Sequence, residues 1–154
     1  MSEKQAQGEW LGRLFERLEQ VDSDSVNFVR SQKVRINFSN RGAHVSAIWT
    51  IGMRIYLNAR YFSVETSPDD PYILGVVMHE IRHLQQGFFT ALSVYGELDA
   101  WQLGFRVQHQ LSGKPYPANL MELMALPLVF NRDVLQRARV LMQIYASKKY
   151  RVDL

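Results

Sequence analysis

The chain has 154 residues and no cysteine, which excludes disulfides and thiolate metal sites. An apolar fraction of 47%, a charged fraction of 21% and a net charge of +3 describe one ordinary globular domain over residues 1–154, and argue against a nucleic-acid binder. The longest apolar run, Leu123 to Phe130, contains Pro127 and is too short to span a bilayer; with no signal-peptide pattern at the polar N-terminus and no cysteine, the expected location is the cytoplasm.

Residues 8–20 read as an amphipathic helix, with Trp10, Leu11, Leu14, Phe15 and Leu18 on one stripe. A short helix over 25–30 follows a run of capping residues, Asp22 to Ser25. The period then changes to two. Val34, Ile36 and Phe38 alternate with polar residues, Val45, Ala47 and Trp49 share one face of a second strand over about 43–50, and Met53, Ile55 and Leu57 alternate with Arg54, Tyr56 and Asn58 in a third. The short connections at 39–42 and 51–52 predict three consecutive antiparallel strands, with the strand at 53–58 as the edge beside any cleft.

Asp70 and Pro71 supply an N-cap and a first helical residue, and Gly87 a C-terminal stop, so a helix is expected over 71–86. Its apolar residues Ile73, Leu74, Val77, Ile81 and Leu84 face a core. A second long helix spans about 90–112 and ends at Gly113, a short one lies near 119–125, and Asn131 caps a last helix over roughly 132–148. The basic cluster Lys148, Lys149 and Arg151 reads as a solvated helix end. The irregular stretch 116–130 is either a lid over a cleft or the packing of the last helix onto the core.

The helix at 71–86 carries His79, Glu80 and His83 in the spacing H-E-x-x-H. Residues four apart share one helix face, so both imidazoles can bind one zinc ion and the intervening carboxylate can reach a water on it. In a chain of this composition the pattern arises by chance roughly 0.005 times. Catalytic zinc commonly takes three protein ligands. Cysteine is absent, and the positions where metzincins carry Gly and a third His hold Gln86 and Phe89, which leaves a carboxylate on the following helix. Glu97 is favoured over Asp99, because Ala100 and Gly104 continue its face with small residues that let two helices approach. Asp99 lies about 200° around the helix from Glu97, so only one of the two can face the metal.

His79-Glu80-x-x-His83 followed fourteen residues later by Glu97-Leu98-Asp99-Ala100 resembles the gluzincin zinc metallopeptidases, and among them the small ImmA/IrrE-like peptidases and minimal gluzincins. The resemblance covers about residues 53–108. It implies an α+β, zincin-like fold in which a small antiparallel sheet packs on a helical core. It also implies zinc on His79, His83 and Glu97, Glu80 as general base, and a peptide or protein substrate. The larger thermolysin-like enzymes place an Asp four residues after the ligand Glu. Here that residue is Trp101, so the imidazoles need another orienting partner, for which Asp99 or a backbone carbonyl is available. Tyr56, Tyr95, Arg82 and His44 are the candidates for a donor to a developing oxyanion. A regulatory protein that keeps the fold and the metal without general proteolysis is the alternative reading.

Overall fold

The computed structural model describes residues 1–150, with side chains through residue 147. The basic cluster Lys148, Lys149 and Arg151 lies outside the side chains so described. Among the described residues the fold is α+β, with seven helices and one three-stranded sheet. In chain order these are α1 (Glu3–Glu19), α2 (Ser23–Ser31), β1 (Arg35–Ser39), β2 (Ala47–Thr50), β3 (Arg54–Asn58), α3 (Pro71–Gln86), α4 (Phe88–Ala91), α5 (Val94–Ser112), α6 (Ala118–Ala125) and α7 (Arg132–Tyr150). No helix among these residues is long and apolar enough to cross a membrane.

The caps explain the boundaries. The Asp70 carboxylate accepts the Tyr72 amide at 2.9 Å and Pro71 occupies the first turn, so α3 has the expected limits. The Asn131 side chain accepts the Asp133 and Val134 amides and starts α7. The helix expected from 90 begins later. Residues 88–91 form a separate single turn, and the Ser93 hydroxyl accepts the Gly96 amide at 3.0 Å to start α5 afresh. The two segments are pressed together: a Cβ on Gly96 would lie 2.0 Å from the Thr90 carbonyl oxygen.

The sheet corrects the expected antiparallel order. Its strands run β1-β3-β2, with β1 parallel and β2 antiparallel to β3. The loop 40–46 is long enough to leave a slot two strand spacings wide, about 10 Å. The tight turn after β2 then sends β3 back into that slot. Asn58, fully buried at the end of β3, holds the loop over the strand end. Its Oδ1 accepts the Arg41 amide, and its Nδ2 donates to the Gly42 and Val45 carbonyls at 3.0 and 2.7 Å. The strand at 54–58 is therefore central, and β2 is an edge.

Two apolar cores flank the centre of the molecule. One joins Trp10, Leu14 and Leu18 of α1 with Ile55 and Leu57 of β3 and Ile73, Leu74, Val77 and Ile81 of α3. The other joins Leu98 of α5 with Leu120 and Leu123 of α6 and Ala138 and Met142 of α7. Within 116–130, Tyr116, Leu120, Leu123, Met124 and Leu126 belong to this second core. They line neither cavity described below, and the buried Gln102 amide donates to the Leu123 and Leu126 carbonyls, so the packing account of that stretch holds.

Helices α3 and α5 are the most extensively packed pair of elements, and glycine makes this possible. A Cβ on Gly75 would stand 2.7 Å from the Gly104 carbonyl oxygen, and one on Gly104 would stand 2.8 Å from that of Gly75. In an exposed helix, Gly→Ala stabilises by about 1 kcal/mol. Here the added methyl meets backbone, and overpacking of about 1–3 kcal/mol prevails. Gly104→Ala is expected to lower the urea midpoint of unfolding with an unchanged m-value. A raised midpoint would show that the helices are free to separate.

Candidate metal centre

The close crossing of α3 and α5 brings three side chains to one point. His79 and His83 project from one face of α3, one turn apart, and Glu97 reaches them from the first turn of α5. The two Nε2 atoms are 3.0 Å apart. Glu97 Oε2 lies 3.8 Å from His79 Nε2, and its Oε1 lies 3.5 Å from His83 Nε2. All three ligand atoms fall within 4.8 Å of one another. Two zinc–ligand bonds of about 2.0–2.1 Å at a tetrahedral angle separate their ligand atoms by about 3.3 Å, so small shifts bring this N, N, O set onto one ion. His83 is buried, while the Glu97 side chain is 43% exposed, which leaves the centre open on one side, as a catalytic ion requires.

The neighbours set the state of each ligand. The Gln86 side-chain NH2 donates to the Gly96 carbonyl and to Asp99 Oδ2, each at 2.9 Å. Its Oε1 therefore faces His83 Nδ1, at 3.2 Å. A flipped amide would lose both acceptors and confront the imidazole with a donor, so Nδ1 carries the proton and Nε2 presents its lone pair to the centre. Asp99 itself points away from the centre, bonded to Arg82 Nε at 2.7 Å and to Gln86. It acts on His83 only through Gln86. The Trp101 indole, four residues after Glu97, donates to the Glu97 carboxylate. Trp49 of β2 stacks on the His83 ring, with centroids 5.8 Å apart.

Glu80 is 6% exposed, and its carboxylate accepts a hydrogen bond from the Trp49 backbone amide. Burial pushes its carboxyl up to about 8; charge on His83 opposes this and the Glu97 carboxylate adds to it. Burial also disfavours charge on His83, but its hydrogen bond and Coulombic contact with Glu97 prevail and hold the imidazole above its ordinary value. For Glu97, burial acts upward, yet the His83 hydrogen bond and the charges of both imidazoles hold it below the usual carboxylate range.

Two cavities meet at this centre, both touching Ala47, His79 and Glu80. An open groove of about 750 Å³ runs along β2, from Ile48 to Gly52, to Phe88 and Leu92. A smaller cavity of about 280 Å³ lies toward Tyr72, Phe105 and Tyr145. Of the four expected oxyanion donors, only His44 lines a cavity shared with His79 and Glu80. Arg82 is engaged by Asp99, Tyr95 stacks on Phe130 at 4.1 Å, and Arg41 covers the Tyr56 ring. Tyr72 and Tyr145, which sequence reasoning passed over, line the same cavity as His44. Nothing in the spacing of the H-E-x-x-H motif signals them, because they reach the site from the start of α3 and from α7.

Comparison with protein-family models, with curated proteins and with solved structures returns no match. The gluzincin resemblance therefore rests on the motif residues alone.

Proposed function

We propose that this protein is a zinc-dependent metallopeptidase, with zinc held by His79, His83 and Glu97 and with Glu80 as general base. The observation that carries the reading is the convergence of the three ligand atoms within 4.8 Å beside a buried carboxylate held by the Trp49 amide. A structural zinc site has no need of that fourth group, and is usually closed by four protein ligands. The donor set fits zinc, which accepts imidazole nitrogen and carboxylate oxygen in tetrahedral geometry.

Bound zinc supplies a Lewis acid for the substrate carbonyl and a bound water of lowered pKa. Glu80 takes a proton from the attacking water as the oxygen bonds to the carbonyl carbon. It returns that proton to the amide nitrogen as the C–N bond breaks. Its raised affinity for a proton suits it to accept one from the water, and the positive charge of a bound zinc ion would favour its ionised form beforehand. Gln86 holds His83 in the tautomer that ligates through Nε2, and Trp101 holds Glu97.

Substrate placement follows from the edge position of β2. The Ser46 carbonyl accepts the Asn58 amide, so even-numbered residues of this edge bond inward to β3. Ala47 and Trp49 then turn their main-chain groups away from β3; the Trp49 amide is taken by Glu80, which leaves the Trp49 carbonyl and the Ala47 main chain facing the groove. An extended peptide can add to this edge, and Ile51, Phe88 and Leu92 form an apolar rim for its side chains. On this reading the docking role expected of the strand at 53–58 passes to β2.

Titration of chelator-stripped protein with zinc tests the reading. One ion per chain is expected, together with hydrolysis of a mixed peptide substrate that appears with zinc and disappears with chelator. Absence of zinc binding would overturn the proposal.

A further inference from the structure

We infer that the cavity walled by Val76, Trp101, Phe105 and Tyr145 binds a bulky apolar side chain of the substrate, at a residue flanking the scissile bond. The inference rests on the peptidase reading and deepens it by naming a cleavage preference. Three observations lead to it.

The first is position. The cavity and the β2 groove share Ala47, His79 and Glu80. A peptide lying along β2 with its carbonyl at the metal centre therefore has the cavity mouth beside the bond that Glu80 serves. The second is size. A cavity of about 150 Å³ accepts benzene, and this one measures about 280 Å³, enough for a phenylalanine, leucine or methionine side chain. Part of its wall is bare helix backbone at Gly75 and Gly104, where no side chain can be added without collision.

The third is chemistry. Among the described residues no lysine or arginine lines the cavity, and the one carboxylate that does is Glu80. An acidic side chain would enter beside a like charge. A basic one would engage the group needed for proton transfer. An uncharged apolar side chain meets neither objection and exchanges water contact for the rings of Trp101, Phe105 and Tyr145. These rings pack against one another at centroid distances of 5.2–5.6 Å and so present a formed surface. Serine, alanine and glycine would leave most of the space unfilled.

Two measurements on the full chain test this. In protein labelled with 5-fluorotryptophan, the Trp101 signal is assigned by its absence from Trp101→Phe. Titration with the N-acetyl amides of phenylalanine and leucine should shift that signal saturably. The aspartate and alanine amides should not. Ala146→Phe narrows the cavity from α7, where Ala146 lines it, and should weaken the phenylalanine amide by about tenfold or more while zinc stoichiometry is kept. In a peptide library, one position beside the cleaved bond should favour bulky apolar residues over alanine and aspartate by about tenfold or more. Hydrolysis without a Trp101 response, or without that preference, would overturn the cavity assignment and leave the peptidase reading standing. A Trp101 response with no hydrolysis of any peptide would overturn the peptidase reading and leave the cavity's apolar selectivity in place.

Discussion

Glu80→Gln is expected to keep zinc and to lose peptide hydrolysis by about 10²–10⁴-fold, the range that general acid–base catalysis contributes. The amide is nearly isosteric with the carboxylate, and Glu80 is not among the three groups that converge on the ion site. Zinc affinity should therefore stay close to that of the wild type. The amide oxygen can still accept from the Trp49 backbone, so the local geometry is kept, but the side chain can no longer take a proton from water. Folding should not suffer either. The wild-type carboxylate is buried and pushed up to about 8, so its charged form is costly without a cation nearby, and a neutral amide removes that cost. Isothermal zinc titration and hydrolysis of a fluorogenic peptide are the two readouts. Retained zinc with unchanged turnover would remove Glu80 from the mechanism. Retained zinc with no turnover in either protein would favour the regulatory reading.

Glu97→Ala is expected to weaken zinc by more than the roughly 10–100-fold that loss of an outer partner brings, because it removes one of three ligands. Two variants calibrate that figure. Gln86→Leu removes the acceptor at His83 Nδ1, leaves Nε2 in place and should fall within the 10–100-fold range. Asp99→Ala frees Arg82 and one hydrogen of the Gln86 amide. It should cost about 1.5–3 kcal/mol of stability, the worth of hydrogen bonds to a charged group, with a zinc loss no greater than that of Gln86→Leu. Competition against a chromogenic zinc chelator orders the three. If Asp99→Ala strips the ion and Glu97→Ala keeps it, the roles of the two carboxylates are exchanged.

The amino-acid sequence by itself determined the local elements that hold the site. The 3.6-residue apolar period of residues 73–84 and the Asp70-Pro71 and Gly87 boundaries specify a helix from neighbours within a few positions. His79, Glu80 and His83 lie on that helix, so their spacing alone places both imidazoles on one face. Glu97 was legible for a related reason: Ala100 and Gly104 on its face announce a close helix crossing, and α3 and α5 do cross there at backbone contact.

What remained depended on contacts far apart in the chain. Strand order was one such feature. Alternation reports that 35–39, 47–50 and 54–58 are strands but carries no information on which lies between the others. The choice is made by the width of the 40–46 loop and by Asn58, whose side chain grips that loop from thirteen to seventeen residues away. The orientation of His83 was another. Thermolysin-like enzymes use an Asp where this chain has Trp101, and only folding shows Gln86 taking up the imidazole while Trp101 turns to Glu97. The apolar cavity was the last. Its walls come from α3, α5, α7 and the loop before β2, and no local pattern signals a surface assembled from segments so far apart in the chain. Periodicity and caps act over a few residues, so they fix which groups can act. Packing over the whole chain decides what those groups face.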